Sequence, residues 1–391
     1  MTANNRPSML LWVVFLATLA LFLCALLVLF SAPTTSLWVV AILIGEWGHY
    51  FALLALGLAA LGWRRGRLGT VTALLGVVTA LLCLSPVARA AMISRALPSR
   101  CTNAFGESRA EKGRAAPLRL LDLFRGIPAR GVKTTEHVYA TDGTRQLRLD
   151  LYQSEQRSEP QPLVVMIHGG AWSGSSKEEL PAINRYLARQ GFAVASINYR
   201  HAPKWPFPAA VEDTFRALEF LKTNAASLQL DAKRIALLGR SAGGQIALAA
   251  AYAGKEPNVR GVVSFYGPAD LVLGYEKPSR RWVLDSKKVL ENYLGGSPEQ
   301  NPQTYAAASP INHVNAATPP TLLIHGQLDP IVWPMQSEVL AGRLAETGRP
   351  HLFLSLPWAT HGCDANLGGP SGQLSLYAID RFLAAVLDKG L

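Results

Sequence analysis

The chain has 391 residues, of which 49% are apolar and only 17% charged; the length suits two units better than one, and so few charges argue against a wholly water-exposed protein. The net charge of +11 is uneven: residues 1–130 hold 13 Lys/Arg against 4 Asp/Glu, whereas residues 131–391 hold 25 against 23. The basic excess therefore lies beside the most apolar stretch, which points to anionic lipid headgroups, and no nucleic-acid-binding motif in the remainder supports a nucleic-acid partner.

No charged residue occurs between Pro7 and Gly45, a run too long for one bilayer crossing of about 20 residues. Turn-forming residues at Ser31–Ser36 divide it, so helices are expected over about 9–30 and 37–62, with a third apolar run over about 68–86. Residues 1–86 are accordingly read as a membrane anchor of three transmembrane helices. A signal peptide fits poorly, because the only positive residue before the first run is Arg6 and further apolar helices follow. Glu46 and His49, about one turn apart, read as a polar pair near a helix end or between packed helices. The loop Trp63–Arg67 holds three arginines and the loop 31–36 none. By the positive-inside rule this puts the N-terminus and the arginine loop in the cytoplasm and everything after residue 86 outside a plasma or inner membrane, although Arg89, Arg95 and Arg100 pull the other way. Residues 87–130 form a linker, with a short amphipathic helix around Leu118, Leu121 and Phe124 that lies on the membrane or on the next domain.

From residue 131 the pattern changes. Two strands, Val132–Tyr139 and Arg145–Tyr152, are joined at Thr141-Asp142-Gly143. Short apolar runs follow at Leu163–Ile167, Phe192–Ile197, Ile235–Leu238, Val262–Phe265, Thr321–Ile324 and Leu352–Leu356. Helical stretches alternate with them at about 178–190, 209–226, 242–253, 334–347 and 372–388. Such alternation predicts an α/β domain, a mostly parallel doubly wound sheet with its site at the carboxyl ends of the strands. Residues 268–312 break the rhythm and read as a small cap-like insertion in which Trp282, Tyr293 and Leu294 line an entrance.

Gly239-Arg240-Ser241-Ala242-Gly243-Gly244 follows a strand and opens an alanine-rich helix. This is the context of a nucleophile elbow, in which flanking glycines permit a sharp turn and the hydroxyl of Ser241 stands clear of the sheet. His168-Gly169-Gly170-Ala171-Trp172 ends another strand. Its small residues let backbone N–H groups approach a substrate oxygen, and with Ala242 they would form an oxyanion hole. A nucleophilic serine needs a base and an orienting acid, ordered here as Ser, Asp, His. His361 follows the last strand and Asp329 lies just past the preceding one, with Asp270 as the fallback acid. Among the other histidines, His351 begins a strand at the wrong end, His325 shares its loop with Asp329, and His313 sits in the cap-like segment. Arg240 beside the nucleophile reads as solvated or salt-bridged rather than as an anion binder. The four cysteines, at 24, 83, 101 and 363, have no metal-site spacing. Cys101 and Cys363 are expected to be unpaired.

Four passages carry a family resemblance: His168–Trp172, Tyr199–Pro203 with Pro206–Ala210, Gly239–Gly244, and Tyr266–Leu271. Over about 131–391 the chain resembles the α/β-hydrolase superfamily, in the esterase branch of hormone-sensitive-lipase-like and bifunctional feruloyl/acetyl-xylan-esterase-like enzymes. The resemblance implies a Ser241, Asp329, His361 triad and an oxyanion hole of Gly169, Gly170, Ala171 and Ala242, in which Gly169 shapes the turn. It also implies structural roles for His168 and Asp213. Two departures argue against a large acyl pocket. Ala171 stands where the lipase-like branch has a third glycine, and membrane spans occupy the place of its cap helices. The expected activity is hydrolysis of short acyl or acetyl esters of small molecules or carbohydrates, with no metal or cofactor. Amide hydrolysis, of the peptidase or arylformamidase type, and a binding-only membrane protein are the alternatives.

Overall fold

The computed structural model describes residues 7–63, 65–107, 113–128, 130–156 and 159–387. Arg6, Arg64 and the end of the helix expected to reach 388 lie outside the described residues. The N-terminal part is three long helices, α1 (Met9–Ala25, continued by a tighter turn to Val28), α2 (Thr35–Gly62) and α3 (Gly66–Phe105), followed by the short α4 (Leu120–Arg125). Each of the three is long and apolar enough to cross a membrane. They pack through small residues: a Cβ on Gly48 of α2 would lie 2.3 Å from the carbonyl oxygen of Cys83 on α3. Close backbone approach of this kind is how helices associate where no hydrophobic force drives them together.

Two of these helices exceed what a bilayer needs. At 1.5 Å per residue, the 28 residues of α2, kinked at Trp47, and the 40 of α3 run about 42 and 60 Å along their axes, against a hydrocarbon core of about 30 Å. The third helix thus does not end with its apolar run near 86 but continues to Phe105. The reason is a stripe in the residues read as linker: Ala90, Leu97 and Cys101 fall on one face and are buried in the core of the following domain. The arginines that opposed the orientation argument are partly accounted for. Arg89 donates to the carbonyl of Val28 at the end of α1 (3.2 Å), and Arg100 donates to the carbonyl of Phe353 (2.7 Å).

The remaining elements are β1 (Val132–Asp142), β2 (Arg145–Ser154), β3 (Gln161–Ile167), α5 (Ala182–Arg189), β4 (Ala193–Ile197), α6 (Ala209–Thr223), α7 (Ala225–Leu228), β5 (Leu230–Arg240), α8 (Ala242–Tyr252) and β6 (Val259–Phe265). They continue with α9 (Leu271–Glu276), α10 (Ser286–Leu294), α11 (Pro302–Ala308), β7 (Thr321–Gly326), α12 (Met335–Glu346), β8 (His351–Leu356) and α13 (Pro370–Val386). The eight strands form one sheet in the order β1-β2-β4-β3-β5-β6-β7-β8. The β1–β2 and β2–β4 pairs are antiparallel and the rest parallel. Apart from Pro162, the central strands β3, β4 and β7 are buried, as a sheet covered on both faces requires. One face packs on α6 and α8; the other packs on α5, α13 and the carboxyl half of α3. The mostly parallel, doubly wound sheet expected from the alternation is the architecture found, and it is the α/β-hydrolase fold that the resemblance implied; residues 268–312 form α9, α10 and α11.

Candidate active site

The parallel strands all end on one side, and β3, β5, β7 and β8 deliver the candidate residues there. Ser241 sits between β5 and α8 with φ 51° and ψ −121°, a strained conformation for a residue with a Cβ. Its neighbours make the turn possible. A Cβ on Gly239 would lie 2.0 Å from the carbonyl oxygen of Gly243, and one on Gly243 would lie 2.2 Å from that of Ile167. Only glycine fits at either position, so the pattern G-x-S-x-G is a packing requirement here.

The Ser241 hydroxyl is 2.9 Å from Nε2 of His361, and Nδ1 of that imidazole is 2.6 Å from Oδ2 of Asp329. With Nδ1–H donating to the carboxylate, Nε2 is left to accept the serine proton. Asp329 is wholly buried. Burial opposes its charge, but His361 and His325 outweigh that and bring the carboxyl down to about 2. Its Oδ1 accepts the N–H groups of Ile331 and Val332 at 2.8 and 2.9 Å. His325, a rejected candidate for the base, lies behind the acid. Its Nε2 is 3.2 Å from Asp329 Oδ2 and 2.9 Å from the carbonyl of Val332, while its Nδ1 accepts from Ser337 at 2.8 Å. Asp270, the fallback acid, instead caps α9 by accepting the N–H of Leu273.

Beside the serine, the segment after β3 turns through positive φ at Gly170, Ala171 and Trp172 (97°, 52° and 56°). The four residues expected around the oxyanion hole divide here, with Gly169 in the turn-shaping role expected of it. The N–H of Gly169 is directed at Glu179 Oε2, 2.7 Å away, so Gly169 shapes the turn and is not free to donate. The N–H groups of Gly170, Ala171 and Ala242 have no protein partner among the described residues. Tyr199 supports the turn by donating to the carbonyls of His168 and Gly169 (3.2 and 3.0 Å) and stacks on the His168 ring at 4.3 Å. Burial pushes the His168 imidazole down to about 4, which keeps it neutral in its structural place. Asp213 is likewise structural: it accepts both the backbone N–H and the Nε of Arg200.

Arg240 is salt-bridged, as one of the sequence readings had it. It is buried and paired with Asp364, whose other oxygen accepts the hydroxyl of Tyr266. The Tyr266 ring in turn lies 4.3 Å from that of His361. Sequence reasoning missed the contacts of Glu179, which folds back on Gly169 ten residues earlier, and of Asp364, whose partners Arg240 and Tyr266 are distant in the chain. Tyr293 and Leu294 do not line an entrance. They are core residues, Tyr293 stacking on Trp172 at 4.4 Å. Trp282 is 82% exposed. A cavity of about 620 Å³ opens over Ser241, with Leu271, Val283, Leu290 and Val332 among its walls. All four cysteines are free thiols.

The BD-FAE family model matches residues 149–344. Esterase LipC of Mycobacterium tuberculosis is 30% identical over 288 residues, covering 69% of this chain and 70% of the relative. The probable carboxylic ester hydrolase LipM of the same organism is 29% identical over 287 residues, and this chain spans 64% of its length. Of solved structures, an arylesterase is 26% identical with a TM-score of 0.54, covering 66% of this chain and 89% of that one. A bacterial heroin esterase has a TM-score of 0.59 at 24% identity, covering 68% and 87%, a likeness of fold. The chain belongs to the BD-FAE family, within the α/β-hydrolase superfamily of esterases and lipases.

Proposed function

We propose that this protein is a membrane-anchored serine hydrolase that cleaves carboxylic esters by acyl transfer to Ser241. The observation that carries this reading is the continuous chain of hydrogen bonds from the Ser241 hydroxyl through His361 to Asp329, at 2.9 and 2.6 Å. Ser241 Oγ attacks the ester carbonyl carbon while His361 Nε2 takes its proton. The carbonyl oxygen, now negative, meets the N–H groups of Gly170, Ala171 and Ala242. The tetrahedral intermediate collapses as His361 returns the proton to the departing alcohol, leaving an acyl-serine. Water then attacks with the same imidazole as base, releasing the acid and restoring the serine. Each oxyanion donor supplies about 3–4 kcal/mol in comparable enzymes. No step calls for a metal or a cofactor. Short acyl esters, acetyl esters among them, are the simplest substrates for this geometry, borne on small molecules or carbohydrates.

The measurement is turnover of p-nitrophenyl acetate, together with labelling by a fluorophosphonate probe. Wild type should show both and Ser241→Ala neither; undiminished turnover in the variant rejects the assignment. Amide hydrolysis is read in parallel with a peptide panel.

We infer that the hydrolase domain lies outside the cytoplasm. The loop with Arg65 and Arg67 lies at the far end of α2 and α3 from the hydrolase, while the turn between α1 and α2 lies against it through Thr35. A basic loop at one end and the domain at the other match three crossings with positive charge inside. A reporter phosphatase fused after residue 130 should be active outside the cytoplasm; activity confined to the cytoplasm reverses the orientation.

A further inference from the structure

The amino end of α2 carries more than an anchor requires. The helix exceeds a bilayer core by about 12 Å, or about eight residues, and the first eight residues of α2 are Thr35–Ile42. Thr35, Trp38 and Ile42 are spaced i, i+3, i+7, which puts them on one helical face. All three border the cavity over Ser241. Leu37, Val39 and Leu43, on other faces, are exposed.

That face ties together two chain segments remote from each other in sequence. The indole Nε1–H of Trp38 donates to the backbone carbonyl of His361 at 2.8 Å, and the two rings lie 6.2 Å apart. A Cβ on the next residue, Gly362, would lie 3.3 Å from Ile42 Cδ1, so the histidine loop rests on the helix. One turn earlier, the Thr35 hydroxyl lies 2.9 Å from the carbonyl of Val283, to which it donates, and the Thr35 N–H donates to that of Trp282 at 3.2 Å. Val283 borders the same cavity. A base carried on a loop is only as well placed as that loop, and an error of about 1 Å in such a group costs on the order of a hundredfold in rate.

We propose that the first two turns of α2 are a wall of the catalytic site: Trp38 is a positioning residue for His361, and Trp38 with Ile42 receives the apolar chain of a medium-length acyl ester. The inference rests on the acyl-transfer reading above and extends it from acetyl groups to longer ones. α9 and α10 supply one wall of the cavity through Leu271 and Leu290, and α2 supplies another. The cavity is much larger than an acetyl group requires. Ile42, Leu271, Val283, Leu290 and Ile331 give it apolar sides, which favour burial of the methylene groups of a longer acyl chain.

The test uses the full-length chain in detergent micelles, with p-nitrophenyl acetate and p-nitrophenyl decanoate. Trp38→Phe keeps a ring and removes the N–H. It should lower kcat on acetate about tenfold while KM moves less than about twofold, the pattern of a lost transition-state arrangement rather than lost binding. Ile42→Trp fills the wall and should lower the decanoate-to-acetate ratio of kcat/KM about tenfold. Wild-type kcat in Trp38→Phe overturns the positioning role, and an unchanged ratio in Ile42→Trp overturns the wall. If Trp38→Phe does not accumulate, the Ile42→Trp ratio alone decides. Ser241→Ala separates the two levels of inference. Undiminished turnover there rejects the acyl-transfer chemistry itself. An inactive Ser241→Ala beside wild-type-like α2 variants leaves that chemistry standing and removes only the role of the helix.

Discussion

The two sides of the cavity are held by different physics. On one side, Ser241, Ala242 and the segment Gly169–Trp172 are set by strand ends and by glycines that admit no side chain. Neighbouring residues decide that geometry, and it survives wherever a parallel sheet with this motif forms. On the other side, Thr35, Trp38 and Ile42 arrive on a helix more than 300 residues distant in sequence from His361 and are held by packing and a few hydrogen bonds. The reacting atoms thus depend on local backbone, and the shape of the space around them depends on long-range docking. Substitutions on the first side should act on chemical rate, and those on the second on fit and stability and, where Trp38 holds the His361 loop, more modestly on rate.

The sharpest way to break that contrast is at the nucleophile. Ser241→Ala should lower kcat by about 10⁶, the scale seen when a triad serine is lost, with unfolding unchanged; a melting shift as large as those of the docking variants would blur the distinction. Asp329→Asn leaves the shape but presents a donor to the imidazole, and should cost about 10⁴ in kcat, read in the same assay.

Arg240→Ala probes a residue beside the nucleophile that serves structure. Removing it leaves Asp364 as a buried unpaired charge, so destabilisation of about 3–5 kcal/mol is expected in denaturant unfolding. The same residue acting on substrate would instead show as a raised KM in a fully stable protein.

The pH dependence of Asp329 follows from its position. Its folded value of about 2 is below the ordinary 3.8, so its contribution to stability is complete above the ordinary value and is lost as pH falls through about 2. The melting-temperature gap between wild type and Asp329→Asn should therefore be wider at pH 6 than at pH 3. The smallest effect is expected on the helical side: Thr35→Val removes the hydrogen bond to Val283 and should cost about 1 kcal/mol, with kcat on acetate moving far less than in Asp329→Asn.

Much of this was readable from residue order. Six of the eight strands were recognisable as short apolar runs because the central ones are buried on both faces, and the first two as a hairpin about Thr141-Asp142-Gly143. Ser241, His361 and Asp329, which the structure joins by hydrogen bonds through His361, could be singled out because each follows a strand end, where the fold concentrates its chemistry. The engagement of the Gly169 N–H by Glu179 was not readable, since it depends on a side chain ten residues away folding back. Nor was the burial of Tyr293, whose stacking partner Trp172 lies in another part of the chain.

By itself the sequence determined the alternation of strands and helices, the glycine-bounded turn that bears Ser241, and the presence of three apolar helices. Each follows from periodicity or from steric limits acting over a few residues. Only the tertiary structure decided that α3 runs on into the hydrolase core, that Arg240 is neutralised by Asp364, and that α2 rests against His361. Those contacts join residues separated by more than a hundred positions. They arise because surplus helix length and apolar stripes must be buried somewhere, and no local pattern says where.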